Sequence, residues 1–218
     1  LLFLGPNATT LFEKLAQKYV EGGVFFPGEG EVNEIVIASD NHLANVTPWM
    51  NLARVTGAVI KWWICTGHHS NDPVLNDDDN DDESPLVEKR LNSTITTSTN
   101  LSSLLTDQTR IVTISHSSNI LLGSILNIKR LCQTVKKRCP RAHVIVDGVA
   151  LVPHVFAAVR DSGVDWYVVS CHKLFGPHVG GLCGRRKALW DMFKNSDGGC
   201  KDVGAGSQCR GTDGNDND

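Results

Sequence analysis

Two side chains that follow apolar, strand-like runs could carry chemistry in this sequence. Asp147 comes directly after the run 143–146, and Lys173 comes shortly after the run 165–170. A lysine just past a buried strand can be desolvated, which lowers the pKa of its amine and suits a nucleophile that forms a Schiff base. Asp147 taken alone is better explained as a helix cap or a turn residue. The lysine is therefore the more informative of the two residues.

The two residues together are stronger evidence for a site than either one alone, because the carboxyl ends of neighbouring parallel strands meet at one crevice of an α/β sheet. An amine and a carboxylate on such strand ends are the pair that pyridoxal 5'-phosphate needs. The amine forms an aldimine with the aldehyde, and the anion keeps the pyridine nitrogen protonated so that the ring can accept electrons. Lys173 and Asp147 therefore predict a site for this cofactor.

The elements that must position these residues alternate between apolar runs of strand length and segments with helical spacing of apolar residues. The predicted strands are 34–38, 58–64, 110–115, 143–146, 165–170 and 180–183. The predicted helices are 9–20, 46–55, 125–138, 153–162 and 187–193. This alternation predicts an α/β fold.

The chain divides into four segments. Segments 1–66 and 104–195 are predicted to be the two parts of one α/β domain, separated by an insertion over 67–103 and followed by a tail over 196–218. The insertion holds the acidic run 77–83 and a Ser/Thr-rich tract, and the tail is rich in Gly and Asp, so both are expected to be largely disordered. A calcium site in the acidic run is disfavoured, because the central Gly and closing Glu of an EF-hand loop are missing.

Composition excludes several classes of protein. The chain has 21 Lys+Arg and 24 Asp+Glu, a formal charge of -3, so it lacks the basic field that nucleic acid or an anionic membrane would require. Its apolar runs are too short to span a bilayer. Leu1–Gly5 does not resemble a signal peptide and reads as the middle of a chain. The seven cysteines form no CxxC pair, which favours reduced thiols and an intracellular, soluble protein.

Five short segments, in this order and spacing, resemble the class V aminotransferase family, and specifically its cysteine desulfurase and selenocysteine lyase branch. The segments are 5–10 (GPNATT), 41–49 (NHLANVTPW), 117–119 (SSN), 146–148 (VDG) and 170–178 (SCHKLFGPH). The resemblance covers most of the chain outside the insertion and the tail. It implies the large domain of a fold type I enzyme, with three αβα layers and a mostly parallel sheet.

The resemblance also implies a set of site residues. Lys173 would bind pyridoxal 5'-phosphate, and Asp147 would contact the pyridine nitrogen. His42 would stack on the ring, and Asn119 would hydrogen-bond the phenolic oxygen. Lys173 and His42 are the expected catalytic residues, and no metal is expected. The implied phosphate contacts are Ala8, Thr9, Ser170 and His172.

Each of these residues also has an ordinary structural interpretation when it is taken alone. His42 suits a helix start capped by Asn41, and Asn119 suits a turn. A catalytic dyad of Cys171 and His172 is disfavoured, because adjacent residues of an extended chain point to opposite faces. Helix starts and loop hydrogen bonds likewise account for Thr9, Ser170 and His172.

The function implied by the resemblance is removal of sulfur or selenium from cysteine or selenocysteine to give alanine, through the Lys173 aldimine. A pyridoxal-phosphate-dependent transaminase or another lyase is one alternative. A catalytically incomplete large-domain fragment with a binding or scaffold role is the other. The implied partners are a small amino-acid substrate, a second copy in a homodimer and a sulfur-acceptor protein.

Three features depart from the family pattern. Ala150 stands where the family has Gln or His, so a polar contact near the phenolic oxygen is missing. The loop after Asn119 is one residue longer than usual. Chain before the phosphate-binding helix, and the small domain that supplies a substrate-binding arginine and a sulfur-accepting cysteine, have no counterpart here. We therefore expect a fragment of the large domain.

Overall fold

An eight-stranded, mostly parallel sheet organises the computed structural model, which describes residues 1–25, 32–65, 96–98, 100–118 and 125–193. The strand order is β1-β8-β7-β6-β5-β2-β3-β4, and only β8 runs antiparallel to its neighbours. The strands are β1 Leu2–Gly5, β2 Glu34–Ala38, β3 Val59–Trp63, β4 Thr96–Ser98, β5 Thr109–Ser115, β6 His143–Asp147, β7 Trp166–Ser170 and β8 Gly180–Gly184.

Helices cover both faces of the sheet. The helices are α1 Ala8–Glu21, α2 Thr47–Thr56, α3 Leu101–Leu104, α4 Ile128–Arg138 and α5 Arg186–Phe193, with short 3₁₀ helices at Leu43–Asn45 and Cys171–Leu174. One apolar cluster joins α1, α2 and α5 to one face, and a second joins α3 and α4 to the other. The three predicted αβα layers are therefore present.

The sequence of β2 shows why the sheet is covered twice. Ile35 and Ile37 belong to the first cluster, whereas Val36 and Ala38 belong to the second, and all four side chains are fully buried. Successive residues of a strand point to opposite faces, so a continuous apolar run is expected only where both faces are buried. The same alternation recurs in β6, which ends at Asp147.

The predicted helix over 153–162 is wrong. The chain forms turns there, in which the N–H groups of His154 and Val155 donate to the Leu151 carbonyl at 2.8 and 3.1 Å. The β-branched valines of this segment disfavour a helix. Its largest side chain, Phe156, is 92% exposed, so burial of an apolar face does not compensate for that preference.

Three elements were not predicted from the sequence. Strand β1 is short and its leucines are exposed, and β4 and α3 lie wholly or partly in the segment expected to be an insertion. Helix α4 begins at Ile128, later than predicted, because the Asn127 side chain accepts from the Arg130 N–H at 3.1 Å and caps the helix there. The acidic run 77–83 and the tail 196–218 lie outside the described residues, as do the neighbouring histidines His68 and His69 at the start of the predicted insertion.

Candidate functional site

A cavity of about 280 Å³ lies where α1 begins and where β5, β6 and β7 end. Strand β1 runs in the same direction as the parallel strands, so the loop that leads into α1 reaches the same edge of the sheet. Six of the residues predicted from the sequence line this cavity: Ala8, Thr9, His42, Asp147, Ser170 and Lys173.

Among the described residues, His172 is the one predicted site residue that does not line this cavity. His172 is exposed and stacks on His178, with ring centroids 4.0 Å apart and planes inclined by 20°. Asn119 lies outside the described residues. The roles predicted for these two residues therefore gain no support from the geometry.

The start of α1 presents backbone donors to the cavity. Asn7 caps the helix, with its side-chain oxygen accepting from the Thr10 N–H at 2.8 Å. The N–H groups of Ala8 and Thr9 precede the first intrahelical hydrogen bond, which Leu11 makes to the Asn7 carbonyl. These N–H groups and the positive end of the helix dipole make this a place where an anion is stabilised.

A glycine allows β8 to approach the start of α1 closely. A Cβ atom on Gly180 would lie 2.5 Å from the carbonyl carbon of Asn7 and 2.8 Å from the Ala8 nitrogen. Only a residue without a side chain fits there without displacing backbone. The donors of α1 are therefore held against the sheet by contact with this strand.

Asp147 is a buried carboxylate at the carboxyl end of β6. Its Oδ1 accepts from the Val149 N–H at 2.9 Å, and the residue is 7% exposed. Burial raises the pKa of the Asp147 carboxyl, and the Val149 N–H and the nearby His42 and Lys173 side chains oppose that rise. Among the described residues, Asp147 forms no ion pair, so its charge is only weakly compensated within the chain.

Lys173 lies in the 3₁₀ helix that follows β7. The Gly176 N–H closes this turn on the Cys171 carbonyl at 2.9 Å, and Phe175 adopts a left-handed conformation with φ 59°. Lys173 lines the cavity but is an exposed residue, so the end of the strand does not bury it. The turn extends the lysine beyond the buried part of the strand, and this 3₁₀ helix has no buried residue.

The same turn contains Cys171 and His172, the pair disfavoured above as a catalytic dyad. The two residues lie in a 3₁₀ helix and not on the extended chain that was expected. The structure shows no hydrogen bond between them in the described part of the chain. The backbone N–H of Cys171 donates to the Val179 carbonyl at 2.8 Å and helps to close the loop.

His42 combines a structural role with its place in the cavity. Its Nδ1 accepts from the Ala44 N–H at 3.2 Å and caps the 3₁₀ helix Leu43–Asn45. The expectation that Asn41 would cap this helix is wrong, because Asn41 is buried and its side-chain amide donates to the Thr113 carbonyl at 3.0 Å.

Several cavity residues were missed as site residues by sequence reasoning. Ser115 and Ser117 line the cavity from the end of β5, and Val149 lines it after β6, beside Ala150, whose position the family resemblance had already placed near the cofactor. The strand-end rule that singled out Asp147 also applies to β5, so it could have identified Ser115. His116, between the two serines, is buried.

A comparison with known families identifies the chain. The sequence profile of the family described as aminotransferase class-V matches residues 66–213, more than half of the chain. The chain belongs to the class V aminotransferase family. The match includes Asp147 and Lys173, whereas α1 and His42 precede it.

This class V aminotransferase chain is similar to two fungal proteins. It is 32% identical over 206 residues to the aminotransferase-like protein FGM3 of Gibberella zeae, covering 92% of this chain and 43% of the relative. It is 38% identical over 157 residues to the cysteine desulfurase-like protein ustD of Aspergillus flavus, covering 71% of this chain and 30% of the relative. The chain therefore spans less than half the length of these two relatives.

A solved structure shares the fold. The cysteine desulfurase CsdA of Escherichia coli superposes with a TM-score of 0.65 and 24% identity, covering 87% of this chain and 40% of that chain. The fold class and the family predicted from the sequence are thus confirmed for this class V aminotransferase chain.

Two absences can be stated for the residues that the structure describes. No helix there combines the length and the apolar character that a membrane crossing requires. The same residues contain no group of three or more His, Cys, Asp or Glu side chains that could hold a metal ion.

Proposed function

We propose that this chain is the cofactor-binding large domain of a pyridoxal-phosphate-dependent enzyme that removes sulfur or selenium from cysteine or selenocysteine to give alanine. The observation that carries the proposal is the convergence of Asp147 and Lys173 on one cavity. Family membership supports the cofactor, and the similarity to a cysteine desulfurase-like protein supports the reaction.

The residues around the cavity fit this cofactor in three respects. Asp147 is a buried carboxylate without an ion-pair partner among the described residues, so a protonated ring nitrogen would stabilise its charge. The N–H groups of Ala8 and Thr9 and the hydroxyl of Ser170 form a donor set suited to a phosphate. Lys173 supplies an amine at the same cavity for covalent attachment.

The residues of the chain have distinct tasks in this proposal. When bound, pyridoxal phosphate supplies an electron sink for negative charge on the α-carbon of an amino acid. Lys173 Nζ would hold the cofactor and, once displaced by the substrate amine, would move a proton at the α-carbon. The Asp147 carboxylate would hold a proton on the ring nitrogen, and His42 would orient the ring.

Two other functions use the same cavity. A transaminase or another lyase would rely on Asp147 and Lys173 in the same way, because both need the same electron sink. A chain that binds the cofactor without turnover is favoured by one observation: it spans 43% and 30% of its two fungal relatives, so residues needed for turnover can lie elsewhere.

Cofactor binding tests the proposal directly. Pyridoxal phosphate added to the purified chain should produce a visible absorbance band that saturates at one cofactor per chain. The band should be absent in Lys173→Ala and retained in Lys14→Ala, a matched substitution of an exposed lysine on α1. A wild-type chain without this band would refute the proposed function.

The products then separate the candidate reactions. Alanine formed from cysteine, with the released sulfur recovered as sulfide when a thiol reductant is added, supports the desulfurase, whereas a keto acid formed from an amino-acid donor supports a transaminase. A saturable band without any product supports a cofactor-binding domain that needs further chain. The loss of each product in Lys173→Ala controls for contaminating enzymes.

We further propose that the chain functions as a homodimer. Large apolar side chains are exposed on the segments that follow β2, β6 and β7: Leu43, Phe156, Leu174 and Phe175. A second copy that covers these segments would bury them. A sulfur-acceptor protein would be a further partner of a desulfurase.

A further inference from the structure

A buried pair of aromatic side chains lies directly behind the cavity. His116 follows β5 and Tyr167 lies in β7, so the two residues flank the end of β6. His116 Nδ1 and the Tyr167 hydroxyl oxygen are 2.8 Å apart, and the two rings are perpendicular. The residues are 6% and 3% exposed. Neither has been assigned a role in the functions considered above.

The pair is uncharged at neutral pH. Burial lowers the pKa of His116 to about 4 and raises the pKa of Tyr167 well above its ordinary value. A neutral pair adds no charge beside the Asp147 carboxylate, so it does not compete with a cationic ligand for that carboxylate. It contributes shape and hydrogen bonds instead.

The backbone around Asp147 is fixed by His116, by the Tyr167 ring and by a hydrogen bond to Val168. The His116 N–H donates to the Asp147 carbonyl at 2.8 Å. The N–H of Gly148, the residue after Asp147, donates to the Val168 carbonyl at 2.9 Å. The Tyr167 ring occupies the space beside Gly148, where an added Cβ would lie 2.2 Å from ring carbon Cε1. The backbone that carries the carboxylate therefore has little freedom to rotate.

We propose that His116 and Tyr167 are positioning residues that hold the Asp147 carboxylate in the orientation it needs to bind a cationic ring. Their hydrogen bond locks the Tyr167 ring over Gly148, and the ring in turn keeps water from the Asp147 segment. This inference rests on the proposed function, because the cationic ring is that of pyridoxal phosphate.

The chain contains a matched control for this pair. Tyr19 and His143 form the same kind of buried contact, with the hydroxyl oxygen 2.6 Å from Nδ1. His143 is the first residue of β6, whereas Asp147 is its last, so the control pair lies at the opposite end of the strand. Loss of the Tyr19 hydroxyl removes two buried hydrogen bonds, to His143 and to Trp166, without altering the surroundings of Asp147.

The experiment compares Tyr167→Phe, His116→Leu and His116→Asn with Tyr19→Phe in the full chain. The first readout is the pH titration of the Asp147 carboxyl carbon by ¹³C NMR in the cofactor-free protein, with Asp147→Asn used to assign the signal. The second is the dissociation constant of pyridoxal phosphate from its absorbance. His116→Asn retains a polar group close to the Nδ1 position, so it is the conservative variant.

We expect the Asp147 pKa to move towards its ordinary range in Tyr167→Phe and His116→Leu, because loss of the His116–Tyr167 hydrogen bond loosens the segment around Asp147 and lets water reach the carboxylate. In the same variants the dissociation constant of pyridoxal phosphate should rise about tenfold. His116→Asn should restore most of both properties, and Tyr19→Phe should change neither.

An Asp147 titration that is identical in the wild type and in both disruptive variants would overturn the inference. So would an unchanged dissociation constant in a chain that binds the cofactor. A wild-type chain that binds no pyridoxal phosphate would instead refute the proposed function, and the titration would still decide whether the pair positions Asp147. If His116→Leu does not fold, Tyr167→Phe carries the test, because it retains the packed ring.

Discussion

The Asp147 carboxylate lowers the stability of the folded chain. Its carboxylate is buried, and the Val149 N–H is its one hydrogen-bond donor in the described part of the chain. Burial of a charged group without full compensation destabilises the folded state. A residue retained at such a cost is a candidate for a binding role, which is the role that the proposed function gives to this carboxylate.

Asp147→Asn should therefore stabilise the cofactor-free chain at neutral pH. Because the pKa of Asp147 is raised in the fold, the folded chain binds the proton more tightly than the unfolded chain, and stability falls as pH rises through the ordinary carboxyl range towards the folded pKa. Urea unfolding should show a stability advantage for Asp147→Asn at pH 7 that disappears in acid below that range.

The control for this substitution is Asp107→Asn, which changes an exposed aspartate. It should have little effect on stability at either pH. Asp147→Asn should also weaken binding of pyridoxal phosphate, since the amide cannot balance a ring cation. A variant that is less stable than the wild type at pH 7 would contradict the interpretation of Asp147 as an uncompensated charge.

At the scale of elements, the contact between β8 and α1 determines where the anion-binding donors lie. Gly180→Ala would place a Cβ 2.5 Å from the Asn7 carbonyl carbon, so backbone must move. We expect a loss of about 1–3 kcal/mol in unfolding free energy and weaker binding of pyridoxal phosphate. Gly181→Ala is the control, because its Cβ would contact a Val169 side-chain methyl at 3.0 Å.

Both variants can be compared by urea unfolding and by the absorbance of added cofactor. If α1 and β8 position the donors as proposed, the alanine at position 180 should reduce cofactor affinity more than the alanine at position 181. Equal affinities, with the expected difference in stability, would show that the start of α1 does not contribute to cofactor binding.

A second contact between elements joins α1 to β6 and β7. The Trp166 indole N–H donates to the Tyr19 hydroxyl oxygen at 2.9 Å, so the Tyr19 hydroxyl proton is available to His143 Nδ1. Tyr19→Phe leaves both partners buried and unsatisfied. We expect a loss of about 1–3 kcal/mol in unfolding free energy, measured by urea unfolding at pH 7. A change near zero would show that the side chains repack or admit water.

The elements that the sequence predicted correctly share a physical feature. Helix α1 buries apolar side chains at helical spacing, and β2 is a continuous apolar run that is buried on both faces, so local pattern and tertiary burial agree. The segment 153–162 has apolar residues at helical spacing, but Phe156 is exposed, so the pattern there does not report burial. Strand β1 was missed because its apolar residues are exposed at the edge of the sheet.

The sequence predicts the central pair of the candidate site but not the surroundings of that pair. Asp147 and Lys173 could be paired because the ends of parallel strands converge. The exposure of Lys173 could not be predicted, since it depends on the turn that closes between Cys171 and Gly176. The partnership of His116 with Tyr167 was equally inaccessible, because it joins two strands that are separated by β6.

At the scale of the whole molecule, the exposed apolar side chains on the segments that follow β2, β6 and β7 are the strongest indication of assembly. Phe156 and Phe175 are 92% and 101% exposed, and Phe175 also has an unfavourable left-handed backbone. A residue held in such a conformation and fully exposed would gain from burial against a partner. These features support the proposed homodimer.

Phe156→Ser should weaken this association. We expect the wild-type chain to elute as a dimer in size-exclusion chromatography with light scattering, and the dissociation constant of Phe156→Ser to be at least about tenfold higher. Trp190→Ser on α5, which replaces a side chain that is 68% exposed, is the control and should remain dimeric. A wild-type chain that is monomeric at all concentrations would contradict the proposal.

The pairing of β1 with β8 has a consequence for how the chain folds. Leu2 of β1 pairs with Cys183 of β8, whereas β5 and β6 are joined by a much shorter connection. Pairings between distant segments form slowly, because closing a long loop costs entropy before any stabilising contact has formed. We expect Asp147 to reach its place in the sheet before the donors of Ala8 and Thr9 arrive. Uptake of the cofactor by a refolding chain would then mark the last step of folding.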